Sequence, residues 1–168
     1  MKVHRLGDSG SHDVPVAVTL GTFDGVHLGH QEVLGRTVRE ARRRGIAAAV
    51  VTFIGHPAQV LRPESAPLLL TTLDDRLGLI GECGIDVAFL IDFDEVVAQR
   101  TALEFTKTVL IGQVGAEVLI VGHDLHFGNR REGNLAFLQE MRPDHGLDVI
   151  GVDAVREMPL TLESISST

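Results

Sequence analysis

The sequence predicts an α/β protein, a doubly wound parallel sheet of about five strands with helices on both faces. Short, predominantly apolar runs recur at 16–20, 46–53, 85–91, 117–121 and 147–152. Each has the length of a strand, and those at 16–20 and 46–53 read as strands buried on both faces. Between most of them lie longer segments whose apolar residues return every three or four positions. Strands alternating with such helices build βαβ units, a Rossmann-like arrangement.

The strand at 16–20 runs into Gly21-Thr22-Phe23-Asp24-Gly25-Val26-His27-Leu28-Gly29-His30. Its glycines and Asp24 stop the strand and turn the chain. A helix follows over Leu28 to Arg44, with Val33, Leu34, Val38 and Ala41 on its apolar face, arginines at its negative end and Gly45 as its stop. Such a junction aims backbone N–H groups and a partial positive charge at one spot, a ready seat for phosphate. There is no Walker lysine and no complete G-x-G-x-x-G. Instead His27 and His30 stand three apart around Gly29, so both imidazoles face one side of the first helical turn, each able to donate to a phosphate oxygen and to carry charge when protonated. Gly29 leaves room for a ligand against the backbone.

Ile46 to Phe53 is the second strand, and it ends in Ile54-Gly55-His56-Pro57. Sites in open parallel sheets lie outside the carboxyl ends of strands, so His56 falls on the same rim as His27 and His30. Ala58 to Leu70 reads as an irregular, proline-bearing connection, Leu73 to Cys83 as a helix closed by Gly84, and Ile85 to Ile91 as a strand. Asp92 to Glu95 reads as a strand-to-helix turn. Thr101 to Ile111 is a helix capped by Thr101 with Glu104. The strand at 117–121 opens into Gly122-His123-Asp124-Leu125-His126-Phe127-Gly128 and on to Gly133. A short helix over Asn134 to Met141, a fifth strand and an extended segment over Glu157 to Leu162 complete the chain.

At 168 residues, with 44% apolar content, the chain suits one domain with a substantial core. Lys2 to Asp8 reads as a polar arm. The apolar runs are too short to span a membrane and no secretory segment opens the sequence, so the expected setting is soluble and cytoplasmic. The lone Cys83 allows no internal disulfide. A net charge of −8 argues against a nucleic-acid partner, which needs clustered Lys and Arg; a mononucleotide needs only a local positive spot. With neither Trp nor Tyr present, stacking on a planar ligand falls to phenylalanine or histidine.

The stretch from Gly21 to Gln31 resembles the signature of the bacterial FAD synthetases in their FMN adenylyltransferase domain, members of the His-x-Gly-His nucleotidyltransferase superfamily. Thr52-Phe53-Ile54-Gly55-His56-Pro57 resembles a second motif of that family, with Gly55 in place of a proline. The loop from Val121 to Gly133 resembles a third, departing from it at His123, Leu125 and His126. Ser166-Ser167-Thr168 resembles the first half of a Ser-Ser-Thr-x-x-Arg motif whose arginine falls beyond Thr168.

The resemblance implies Mg²⁺-dependent transfer of AMP from ATP to FMN, giving FAD and pyrophosphate. It implies His27 and His30 as catalytic groups, and Gly21, Thr22, Phe23, Asp24, Gly25, His27, Gly29, His30, Ser166, Ser167 and Thr168 around ATP. Phe53, His56, Pro57, Asp124, Phe127 and Gly128 are implied around FMN, Asp124 also near Mg²⁺ and Phe127 as a wall for the flavin. The family's riboflavin kinase domain is expected to be absent from residues 1–168. Alternatives are an impaired nucleotide or flavin binder, a related enzyme acting on another phosphate monoester, and a metallohydrolase built on the rim histidines.

Overall fold

The computed structural model describes residues 1–7, 14–66 and 68–153. Six strands, all parallel, lie in one sheet: β1 (Lys2–Arg5), β2 (Val16–Leu20), β3 (Ala47–Phe53), β4 (Val87–Ile91), β5 (Ala116–Gly122) and β6 (Asp148–Val152). Their order is β1-β4-β3-β2-β5-β6. The extra strand is β1. Its residues are all exposed and carry no apolar run, so the segment reads as a polar arm; its backbone nonetheless pairs with β4 from Lys2↔Val87 to Arg5↔Leu90. His4 stacks on Phe89, and Arg5 meets Asp92 at 3.1 Å. Charged side chains on such an edge discourage pairing with another sheet.

The sheet is covered on both faces. Strand residues alternate, so Ala17, Ala48, Val50, Ala88, Val118 and Ile120 pack under α1 (Leu28–Arg44) and α3 (Leu73–Glu82) through Leu34, Ala41 and Ile80. Val16, Val18, Ala49, Val51, Phe89, Leu119 and Val121 face the other way, against Phe105, Val109, Leu110, Leu138 and Met141. Truncating a fully buried residue such as Leu34 to Ala costs about 2–5 kcal/mol.

α1 keeps the limits expected from its sequence. Gly45 ends it in a left-handed conformation, its N–H bonding the carbonyls of Ala41 and Arg42. Near that end Glu40, only 6% exposed, accepts from Arg43 and Arg44, and the two arginines hold its carboxyl down to about 2.

Three segments differ from the sequence expectation. The connection after β3 contains a short helix, α2 (Ala58–Leu61), begun by Pro57. The helix placed over Thr101 to Ile111 is α only over α5 (Ala102–Phe105) and continues as a π-helix over Thr106–Gln113. Thr106 bonds back to the Ala102 carbonyl at 2.7 Å, and Val114 N–H bonds the Val109 carbonyl five residues before it. The wider turn brings Phe105, Val109 and Leu110 together onto the sheet. The last helix, α6 (Leu135–His145), runs beyond Met141. Asp94 caps α4 (Glu95–Gln99) through Val97 N–H, in keeping with a strand-to-helix turn at 92–95. The segment Glu157 to Leu162 lies outside the described residues.

β2 leads through α1 to β3 on one side, while β5 leads through α6 to β6 on the other. The strand order therefore reverses between β2 and β5, and a crevice opens outside their carboxyl ends.

Candidate active site

The turn after β2 is tightly wound. Phe23 adopts a left-handed conformation (φ 55°), Gly25 follows at φ 76° and Val26 at φ 43°. For a β-branched residue that last value is strained, and such strain persists only where the surroundings enforce it. Here they do: Val26 is buried, its carbonyl accepts from Gln31 Nε2 at 3.0 Å, and its N–H bonds the Phe23 carbonyl. Asp24 ties the turn to the chain before α3, accepting from Leu70 N–H at 2.8 Å and from both the N–H and the hydroxyl of Thr71. Partial burial opposes its charge, but these bonds prevail and hold its carboxyl below the ordinary range. Asp24 is thus an organiser of the turn, its oxygens occupied.

The coil releases the chain into His27, the extended N-cap of α1. Its Nδ1 accepts from Gly29 N–H at 3.1 Å and His30 N–H at 3.4 Å. A nitrogen that accepts two N–H groups carries no proton, so the ring's proton sits on Nε2, available to a phosphate oxygen. The His30 ring stacks on that of His27, with centroids 3.5 Å apart and planes 21° from parallel, while Phe23 meets His30 edge-on. The shared side expected for the two imidazoles is therefore present.

Gly29 serves differently from the expectation. A Cβ there would lie 3.2 Å from Cε1 of His27, so the missing side chain makes room for His27 itself. The amides of Gly21 and Gly25 are also engaged, by the Val51 carbonyl and the Thr71 hydroxyl.

His30 is half-buried, and its Nδ1 has no partner among the described residues. Burial first, then the neighbouring His27, push its pKa down to about 4 against the opposing pull of Asp124 and Asp24. His30 is neutral at pH 7 in the free protein, so it donates from the neutral ring, and an arriving anion favours its protonation. An NMR titration is expected to place His30 near 4 without ligand and clearly higher with inorganic tripolyphosphate. A midpoint that ignores the anion would separate His30 from the phosphate seat. Since its ordinary value of 6.5 exceeds the folded one, His30's contribution to stability is present above pH 6.5 and is lost as pH falls through 4.

Across the crevice, Asp124 is exposed at the head of the β5 loop, with a carboxylate oxygen close over Gly122. Its carboxylate has no hydrogen-bond or ion-pair partner among the described residues, and Mg²⁺ characteristically takes one or two carboxylates plus substrate phosphates. His123 pairs with Asp153 at 2.9 Å, His126 is exposed, and His56 accepts from Ala58 N–H at 3.0 Å to start α2. Among the described residues no three His, Cys, Asp or Glu side chains gather as a metal cage.

Phe127, expected as a flavin wall, is 9% exposed and packs between Phe105 and Phe137, with Gly133 beneath its ring. Phe53 is equally buried and meets the partly exposed Phe93 edge-on. Gly128 docks the loop on Ala102. Ser166, Ser167 and Thr168 lie outside the described residues.

Phe93 and Arg76 stand at the site without belonging to any recognised motif. Arg76 is 1% exposed on α3, beneath the turns after β2 and β3. Its one sequence signal is its position: Leu73, Arg76, Leu77 and Ile80 form one helical stripe, and a charge on an apolar stripe must be bonded inside.

Residues 10–168 match the family described as FAD synthetase. A bifunctional riboflavin kinase/FMN adenylyltransferase of Escherichia coli (strain K12) is 33% identical over 147 residues, covering 88% of this chain and 47% of that protein. One from Buchnera aphidicola subsp. Schizaphis graminum is 31% identical over 153 residues, covering 91% and 48%. The chain thus spans about half the length of these curated relatives. A crystal structure of a macrolide-efflux protein from Streptococcus pneumoniae matches with a TM-score of 0.79 and 26% identity, over 91% of this chain and 50% of that one. No described helix here is long and apolar enough to cross a membrane.

Proposed function

The chain belongs to the FAD synthetase family, and from that premise we propose that it is an FMN adenylyltransferase, joining AMP from ATP to the phosphate of FMN in the cytoplasm. The observation that carries the reading is the pair of stacked imidazoles at the start of α1, at the point where the strand order reverses and facing the Asp124 loop.

The chemistry asks for no protein nucleophile. A phosphate monoester, with a second pKa of about 6, is largely ionised at neutral pH. An oxygen of the FMN phosphate attacks the α-phosphorus of ATP, the bond to the bridging oxygen breaks, and pyrophosphate leaves with the electron pair. The protein must align the two phosphates and stabilise charge on the oxygens. His27 donates from Nε2, and His30 supplies a second imidazole that gains a proton more readily as the anion arrives. The helix N-terminus adds its partial positive charge. Asp124 would hold Mg²⁺, which supplies charge neutralisation on the phosphate oxygens when bound.

The Gly21 to Gly25 turn and Gly29 shape the ATP side, with Ser166, Ser167 and Thr168 as further donors to it. On the FMN side stand Phe53, His56, Pro57, Asp124, Phe127 and Gly128. Because Phe53 and Phe127 are packed, the half-exposed Phe93 and Leu125 are the apolar groups nearer solvent on that side. The relatives are also riboflavin kinases by name, and that activity is expected from the half of those proteins that this chain does not match.

Incubation with FMN, ATP and Mg²⁺ is expected to yield FAD and pyrophosphate in equal amounts. Nucleotide binding without pyrophosphate release would leave a binding protein. Activity confined to another phosphate monoester would keep the chemistry and change the substrate.

A further inference from the structure

We propose that Arg76 is the positioning residue of the phosphate site: its buried guanidinium gathers three backbone carbonyls and thereby turns two loop N–H groups toward the bound polyphosphate. The inference rests on the adenylyltransferase reading only for which polyphosphate is bound.

Arg76 reaches up from α3 between the ends of β2 and β3. Its Nη1 donates to the Thr22 carbonyl at 3.2 Å, and its Nη2 donates to the carbonyls of Phe53 and, at 3.4 Å, Ile54. Thr52 Oγ1 also donates to the Thr22 carbonyl, at 3.1 Å. One side chain thus fixes the spacing of the loop that leads to His27 and His30 and the loop that carries His56.

The consequence follows from peptide geometry. In a trans peptide the C=O and the next N–H point in opposite directions, and no described peptide bond is cis. With the Thr22 and Ile54 carbonyls turned down onto Arg76, the N–H groups of Phe23 and Gly55 point the other way. Neither has a hydrogen-bond partner among the described residues. A polyphosphate seat needs donors facing it and carbonyl oxygens facing away, and both requirements are met by drawing the carbonyls to a buried cation. Without the guanidinium the Ile54 carbonyl loses its partner and the Thr22 carbonyl keeps only the Thr52 hydroxyl, so both peptide planes are freer to rotate toward water and withdraw the donors. The Asp24 carboxylate, held by Leu70 and Thr71, steadies the same turn from the other side.

The test compares Arg76→Met, Arg76→Lys and, as a control for stability alone, Leu138→Ala in the opposite core layer, where Leu138 is fully buried. Affinity for inorganic tripolyphosphate is read by calorimetry, FAD formation separately, and folding by circular dichroism. Arg76→Met is expected to bind tripolyphosphate about ten- to a hundredfold more weakly and to raise KM for ATP. Arg76→Lys, which keeps the charge but not the fork, is expected to fall between Met and wild type. Leu138→Ala is expected to melt earlier with its affinity unchanged.

Arg76→Met binding as tightly as wild type, or weakened no more than Leu138→Ala, overturns the proposal. If the Met variant does not fold, the Lys variant decides, and an affinity equal to wild type overturns it. A wild-type protein that binds tripolyphosphate but makes no FAD removes the enzymatic reading and leaves the role of Arg76 standing. A wild type that fails to bind tripolyphosphate overturns the role of Arg76 as well.

Discussion

Replacing His30 or His27 with alanine is expected to lower turnover by about 10²- to 10³-fold with the sheet intact, the loss typical of one donor to a transition state. The two variants should differ in stability. His30 makes no backbone cap, whereas His27 accepts the N–H groups of Gly29 and His30, so His27→Ala forfeits about 1 kcal/mol of helix capping. His27→Asn separates the roles, because asparagine caps well but lacks an imidazole proton at the position of Nε2. It is expected to melt near the wild-type temperature and to turn over as poorly as His27→Ala. Wild-type rates in both alanine variants would remove the pair from the chemistry.

Gly128→Ala is expected to be the most destabilising single methyl addition among the site's loops. Gly128 sits at φ 79°, ψ 171°, a region that essentially only glycine occupies. A Cβ there would stand 2.7 Å from both Cα and N of Ala102, backbone atoms that cannot swing aside. The next residue locks the loop in place, since Asn129 N–H bonds the Arg100 carbonyl at 2.8 Å. Conformational strain of about 1–3 kcal/mol adds to overpacking of similar size, so a loss of about 2–6 kcal/mol is expected. Gly45→Ala provides the contrast: its φ is 70°, but a Cβ would meet nothing within 4 Å, and a loss of only about 1 kcal/mol is expected. Equal melting temperatures for the two variants would show that the loop yields where the structure has it pinned.

Much of the fold is legible in the amino-acid order alone. Buried parallel strands announce themselves as short, predominantly apolar runs, and α1 carries three independent signals: a periodic face, terminal arginines and Gly45. The motif points to paired imidazoles because their spacing on a helix leaves them one common side. The features that escape have weak or misleading signals. β1 consists of four exposed residues, of which only Val3 is apolar, held by backbone pairing with β4, which composition does not reveal. The π-helix after Phe105 arises from how Val109 and Leu110 reach the sheet, a tertiary demand that overrides local preference.

At the site, residues taken singly mislead because their roles depend on distant partners. Gly29 suggests space for a ligand, yet the space is taken by the His27 ring. His30 reads as an ordinary imidazole, yet its burial lowers its pKa to about 4. The amides of Gly21 and Gly25 are engaged by partners at Val51 and Thr71 that lie far away in sequence. Arg76 is legible only as an oddity on an apolar stripe, because its three carbonyl acceptors come from loops that meet only in the fold.

The triphosphate of ATP is expected to bind at the start of α1. A crystal structure with a non-hydrolysable ATP analogue and Mg²⁺ tests it directly. The expected result is phosphate oxygens within hydrogen-bond distance of His27 Nε2 and beside the His30 ring, with the metal near Asp124. A triphosphate bound elsewhere, with His27 and His30 free of it, would contradict the account.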